Sequence, residues 1–264
     1  MIQPARDGYG VCLPTNSVEG ALNGMRGAII VGRAAREWVA GADWLVRLVA
    51  FAAVSGGVAF LAAAAAVTGP ELQAADERVL RAFRTADDPA APIGPRWVRE
   101  AVRDVTALGG PAVLTLVTAG VVGYLLAGRH RPAAVFVLTA VVGGAVLSAA
   151  LKAAFARPRP AVVPHLAAVS DASFPSGHAM LSAVVYLTLG AMLARLVTAG
   201  WAKAYFVLVA ACLAALVGIS RVYLGVHYPS DVAAGWSAGA AWSGLCWLVA
   251  RRLQRRGVVD RDAG

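Results

Sequence analysis

RPAAVFVLTAVVGGAVLSAALKAAFARPRP, residues 131–160, is the stretch that decides the fold. From Pro132 to Ala153 it carries a single charge, Lys152, and a helix of that length crosses a hydrocarbon core of roughly 30 Å. Its exit is charged: Lys152 is followed seven residues later by Arg159-Pro160. Arg157-Pro158-Arg159-Pro160 keeps the backbone extended beyond the helix, since each proline also restrains the residue before it. A membrane span that ends in a rigid cationic segment puts positive charge at the level of lipid headgroups.

Five further apolar runs flank this one, at about residues 45–67, 106–127, 179–197, 202–220 and 231–250. None shows the alternation of a membrane barrel strand, and a lipid-exposed backbone must satisfy its own hydrogen bonds, so all six read as helices. The expected fold is all-α, a polytopic six-transmembrane-helix bundle. An amphipathic surface segment is expected between helices 1 and 2, where Glu77, Val79, Leu80 and Phe83 suit a short helix lying on the membrane. Gly143-Gly144, Gly235 and Gly239 offer small residues for close helix approach. Trp44, Trp201, Trp247 and Tyr124 fall near span ends, as interfacial anchors do.

Composition agrees with a membrane domain. Of 264 residues, 59% are hydrophobic and 15% charged, which is too apolar for a soluble domain. The formal charge of +9 is spread between spans and not gathered in one patch, which favours a membrane surface and argues against nucleic acid. Cys12, Cys212 and Cys246 have neither paired nor metal-ligand spacing and read as small buried hydrophobes. The chain divides into a polar N-terminal segment (1–44), partly disordered, a membrane domain (45–250) and a basic tail (251–264). The run Gly27–Gly32 is too short for the apolar region of a signal peptide; the first span is expected to stay as an anchor, and Met25 is an alternative start.

Two more polar clusters sit at span ends. Pro175-Ser176-Gly177-His178 opens the fourth span, and Ser220-Arg221, His227 and Asp231 lie between the fifth and sixth. Counting crossings puts all three clusters on one membrane face. The other face holds the N-terminal segment, Arg129, Arg131, Arg195, Lys203 and the arginines of the tail, against few acids. The bias of basic residues toward the cytoplasm then places both termini inside and the clusters outside. The loop 68–105 is on the outer face, where its six arginines are matched by acids that include Asp76, Glu77, Asp87, Asp88 and Glu100.

The chemistry follows from the residue types. Transfer of a phosphoryl group needs neutralised non-bridging oxygens, an in-line nucleophile and a proton for the leaving oxygen. Lys152, Arg159 and Arg221 are the candidate cations, with Arg157 as a possible fourth contact. Ser176 suits the cap of a helix whose positive end faces the anion, and Gly177 lets backbone approach it. His178 suits a general acid. Asp231 would orient His227 so that its second ring nitrogen attacks phosphorus. His130 and His165 are not counted among the catalytic residues.

These clusters resemble the signature of the type 2 phosphatidic acid phosphatase family, integral membrane lipid phosphatases related to vanadium haloperoxidases. Lys152, Arg159 and Pro160 match its first part, Pro175 to His178 its second, and Ser220, Arg221, His227 and Asp231 its third, over about residues 100 to 250. The resemblance implies a six-helix fold, a phosphohistidine on His227, protonation by His178, phosphate binding helped by Ser176 and Gly177, and no metal or other cofactor. The expected partners are a lipid phosphate and the bilayer of a bacterial inner membrane, with the site toward the periplasm. Candidate substrates are phosphatidic acid, phosphatidylglycerophosphate and undecaprenyl diphosphate, which share the group the motifs would bind; the sequence sets no oligomeric state. A vanadium-dependent haloperoxidase-like enzyme is the alternative that the six spans oppose. An inactive lipid-binding or transport homologue is opposed by the intact motif positions.

Overall fold

The computed structural model describes residues 43–169 and 171–255. The expectations for the segment before residue 43, for Cys12, for the Trp44 side chain and for the tail beyond Arg255 fall outside the described residues. Among the described residues eight helices follow one another: α1 (Asp43–Ala66), α2 (Pro70–Ala82), α3 (Arg96–Ala107), α4 (Pro111–Ala127), α5 (Arg131–Phe155), α6 (Gly177–Leu196), α7 (Gly200–Tyr223) and α8 (Pro229–Arg255). By length and apolarity α1, α5, α6, α7 and α8 can each cross a membrane, and α3 with α4 makes a sixth crossing when that bent pair is taken as one span.

The second expected span, 106–127, therefore needs correction. It is not one straight helix: α3 and α4 meet at 47°. Gly109-Gly110-Pro111 is the cause, because Pro111 has no amide hydrogen to return to the preceding turn and instead starts a new helix. The hydroxyl of Tyr186 in α6 donates to the Leu108 carbonyl at 2.6 Å, satisfying a backbone acceptor exposed by the break.

α6 is the central helix; α4, α5, α7 and α8 all pack on it, and α1 lies along α8. The α6–α8 seam is closest where glycine permits it. A β-carbon at Gly235 would lie 2.7 Å from the Ser176 carbonyl oxygen, and one at Gly239 would lie 2.6 Å from that of Met180, so only hydrogen fits between the two backbones.

The expected surface segment is α2, followed by α3, the first limb of the bent pair. α2 buries Leu80 and Asp76, and Leu80 joins Val163, Ala179, Val222, Tyr228 and Val232 in a core at one end of the bundle. α3 lays Val98 and Val102 against Tyr223, Leu224 and Val226. The segment is thus a roof packed on the loops and not a helix resting freely on lipid.

One anchor reading changes as well. Trp201 and Tyr124 are exposed at the bundle surface, but Trp247 is buried, with the Arg195 guanidinium stacked 4.2 Å from its ring centre. Cys212 faces outward from the bundle, not into it, and Cys246 is half-buried.

Candidate active site

Each element that carries a candidate residue ends at the roofed face. α5 stops at Ala156, whose left-handed backbone (φ 45°) lets its amide return to the Lys152 carbonyl at 2.9 Å. The proline-rich segment then crosses the bundle end and is tied back where the Ser173 amide donates to the Arg157 carbonyl at 2.9 Å. Between α7 and α8 the chain turns at Gly225, with φ +72°. A side chain there would be strained, and its β-carbon would sit 2.6 Å from the Arg84 guanidinium.

This turn buries His227, which is 1% exposed. Its Nε2 accepts from Arg159 Nη1 at 3.2 Å. Its Nδ1 lies 3.5 Å from Asp231 Oδ2 and 3.4 Å from Ser173 Oγ. With Arg159 donating to Nε2, the network assigns the ring proton to Nδ1 and leaves the Nε2 lone pair facing the cations. Burial lowers the His227 pKa to about 4 against the pull of Asp231, so the imidazole is neutral at pH 7 and able to act as a nucleophile.

Asp231 is fully buried and heavily bonded. Oδ1 accepts from Arg157 Nη1 at 2.6 Å. Oδ2 accepts from the Tyr228 amide at 2.9 Å and from the Ser173 hydroxyl. Arg157 is therefore not a contact on the anion side: it stands behind Asp231, stacked 4.2 Å from the Tyr228 ring centre and paired with Asp76 Oδ2 at 3.1 Å.

Lys152 and Arg159 converge on one carboxylate that sequence reasoning missed. Lys152 Nζ donates to Asp171 Oδ2 at 2.7 Å and to the Ala172 carbonyl at 2.6 Å. Arg159 Nη2 donates to Asp171 Oδ1, Nε to the Asp171 carbonyl at 2.8 Å, and Nη1 to that of Val226 at 2.6 Å. Partial burial pushes the Asp171 carboxyl up, but Lys152 and Arg159 outweigh it and hold it down at about 2.

Arg221, buried at the end of α7, donates from Nη1 to Thr106 Oγ1 of α3 at 3.1 Å and keeps a buried Nε without a partner. Ser220 turns away, its hydroxyl bonded to the Val217 carbonyl at 2.6 Å. Ser176 stands at the N-cap of α6, yet its side chain makes no cap bond. Its hydroxyl is buried and unpartnered, so a capping role for that oxygen is not what the fold uses. Gly177 lies against Lys152, whose Cε would be 3.3 Å from a β-carbon there. His178 is partly buried beside these groups, within the electrostatic reach of Arg221, His227, Lys152 and Asp171. His165 is held away by a bond between Nε2 and the Pro160 carbonyl at 2.7 Å.

The sequence clusters thus meet at one bundle end, with two buried polar atoms, Ser176 Oγ and Arg221 Nε, suited to oxygens of an incoming anion. Ser173, Asp171 and Asp76 escaped sequence reasoning. Ser173 and Asp171 carried one signal, their place just ahead of Pro175 in the loop that joins the two motifs.

The chain is similar to known proteins in sequence and in fold. Residues 133–255 match the PAP2 superfamily. Phosphatidylglycerophosphatase B of Bacillus subtilis is 34% identical over 185 residues, which span 68% of this chain and 85% of that protein. Lipid A 1-phosphatase of Rhizobium etli is 30% identical across 61% of this chain and 77% of its own length. A shorter match, 39% identical over 71 residues or 27% of this chain and 30% of the relative, is to the undecaprenyl-diphosphatase of Sulfolobus acidocaldarius. The crystal structure of a transmembrane PAP2-type phosphatidylglycerolphosphate phosphatase from Bacillus subtilis superposes with a TM-score of 0.70 at 30% identity, covering 78% of this chain and 98% of that one.

Proposed function

The chain belongs to the PAP2 superfamily, and from that membership we propose that His227 carries the phosphoryl group while this integral membrane lipid phosphatase works. The observation that carries the proposal is the His227 ring, with Nε2 at 3.2 Å from Arg159 and Nδ1 toward Asp231 and Ser173. A phosphate that takes over the Arg159 donor frees the Nε2 lone pair beside it for attack.

Lys152, Arg159 and Arg221 neutralise the non-bridging oxygens, and the free Ser176 hydroxyl and the Gly177 amide complete the cradle. His227 Nε2 attacks phosphorus in line. The P–O bond to the lipid breaks, and His178 gives its proton to the departing oxygen. Asp231 stabilises the Nδ1–H of the phosphorylated ring. Water, relieved of a proton by His178, then attacks phosphorus and releases inorganic phosphate, restoring both histidines. The cations supply the positive charge, so no step calls for a metal ion or other cofactor.

A site at the ends of the membrane-spanning helices α5, α6, α7 and α8 supports a substrate anchored by acyl or prenyl chains. The relatives act on lipid phosphates by name. Phosphatidylglycerophosphate is the first substrate to test, because similarity to the Bacillus phosphatase is the most extensive of these three. Basic residues at the far end of the bundle support a cytoplasmic position for that end and an outward-facing site in a bacterial inner membrane.

The test is phosphate release by purified protein in detergent from phosphatidylglycerophosphate, phosphatidic acid and undecaprenyl diphosphate, wild type beside His227→Ala. Release from at least one lipid, lost in a folded His227→Ala protein, is expected. Activity that survives His227→Ala overturns the phosphohistidine. Halide oxidation in the presence of vanadate, with no phosphate release, overturns the phosphatase reading.

A further inference from the structure

Asp231 does not end the chain of polar contacts behind His227. Its Oδ1 is bonded to Arg157 Nη1 at 2.6 Å, and Arg157 Nη2 reaches Asp76 Oδ2 at 3.1 Å. Asp76 belongs to α2, 155 positions before Asp231 in the chain. Its Oδ1 accepts the Ser230 amide at 2.9 Å and its Oδ2 the Ser230 hydroxyl. Arg157 Nη1 also donates to that hydroxyl at 2.8 Å. The side chains are 3% exposed for Asp76, 9% for Arg157 and 0% for Asp231.

Burying a carboxylate–guanidinium–carboxylate array is costly, and apolar residues of similar size would hold α2 in place at least as well. A buried charge relay that stops on a candidate catalytic imidazole is therefore better explained by what it does to that imidazole. We propose that Asp76 and Arg157 are positioning residues that act through Asp231, with Asp76 drawing part of the Arg157 charge away so that Asp231 keeps its negative charge for His227. This rests on the reading of His227 as nucleophile. It makes the roof helix part of the catalytic apparatus, although no atom of α2 is assigned to the phosphate.

The charged and titratable groups around His227 are Asp231 from α8, Arg159 from the proline-rich loop, Arg221 from α7 and His178 from α6. Asp76→Asn alters none of them directly. It leaves Arg157 to lean wholly on Asp231, which weakens the support Asp231 gives to a positively charged or phosphorylated ring.

The experiment compares wild type, Asp76→Asn, Arg157→Met, the double variant and Ser230→Ala, with His227→Ala as control. It measures kcat, KM, the pH profile of kcat/KM and the inhibition constant of vanadate. Asp76→Asn is expected to lower kcat by about ten-fold, the low end of the range for loss of a metal-bound imidazole's outer partner, because Asp76 acts through Arg157 and Asp231. KM and vanadate affinity stay within about two-fold, since the anion contacts are intact. The acid limb of kcat/KM moves to lower pH. In the Arg157→Met background Asp76→Asn has little further effect, because the two act in series. Ser230→Ala shifts the limb the same way by less, and carries the test if Asp76→Asn does not fold. An unmoved acid limb in Asp76→Asn or Ser230→Ala, or additive losses in the double variant, overturns the proposal and makes the array a structural tie. A wild type whose activity survives His227→Ala fails the underlying reading and not this one alone.

Discussion

Asp171→Asn should tighten the binding of phosphate. In the structure the two cations proposed to bind the phosphate are already engaged by an internal carboxylate, Lys152 at 2.7 Å and Arg159 on the other oxygen. A phosphate must displace this carboxylate or share its partners. The carboxyl is held at about 2 in place of 3.8; at 1.36 kcal/mol per unit, undiscounted, that preference is worth about 2 kcal/mol. The Asp171 side chain is 59% exposed, and solvent screening reduces the figure to about 1 kcal/mol. Relief of that competition corresponds to roughly a five-fold change in a dissociation constant. The sign with pH is fixed by the direction of the shift. A depressed carboxylate contributes its stability above the ordinary value of 3.8 and loses it as pH falls through about 2, so between pH 5 and 8 the competitor stays ionised and the effect is constant. The assay is inhibition by inorganic phosphate and by vanadate, with KM for a short-chain lipid phosphate beside them. In Asp171→Asn all three constants should fall by about five-fold. Constants that stay level, or rise, would show that Asp171 aims Lys152 and Arg159 at the substrate instead of competing with it.

Four other outcomes are expected. Burial lowers the His227 pKa from 6.5 to about 4, so the acid limb of kcat/KM should fall well below 6.5; a limb at 6.5 would mean that the nucleophile is a solvated histidine. By the same linkage, this ring withdraws stability as pH drops from 6.5 toward 4, because the unfolded chain takes up the proton first. Gly235→Val should force α6 and α8 apart where the Ser176 carbonyl is 2.7 Å from the new β-carbon; a loss of about 1–3 kcal/mol in stability, read by thermal unfolding in detergent, should come with lost phosphatase activity, and an unchanged melting point would contradict the close packing. EDTA should leave activity intact, and inhibition reversed by magnesium would contradict charge neutralisation by Lys152, Arg159 and Arg221.

The long apolar runs placed α1, α5, α6, α7 and α8 to within a few residues, because a bilayer demands length and apolarity and the sequence displays both. The 106–127 span misread a signal that was present: Gly109-Gly110-Pro111 is a break, but hydropathy averages across it. The motif residues were legible through their spacing, and Lys152, Arg159, His227 and Asp231 do gather at one end of the bundle. Their partners were not. Asp76 looks like one acid among several in loop 68–105, and only folding removes it from water and sets it on Arg157. Arg157 itself was read toward the anion because a sequence shows charge and not direction. Trp247 was read as an anchor from its position near a span end, yet in the bundle it is buried beneath Arg195. Ser176 had the right residue type for a cap, and the local backbone gave its hydroxyl no amide to accept.

The Ser176 amide donates to the Asp231 carbonyl at 3.0 Å, directly beside the glycine-lined seam of α6 and α8. The helix that begins beside His178, the proposed proton donor, is thereby stitched, backbone to backbone, to Asp231, the proposed support of the nucleophile. When the bilayer thins, thickens or bends around the protein, outer helices can tilt to follow it while this stitch keeps the two imidazoles on a common frame. The separation of the two imidazoles is thus tied to a backbone bond at the α6–α8 seam.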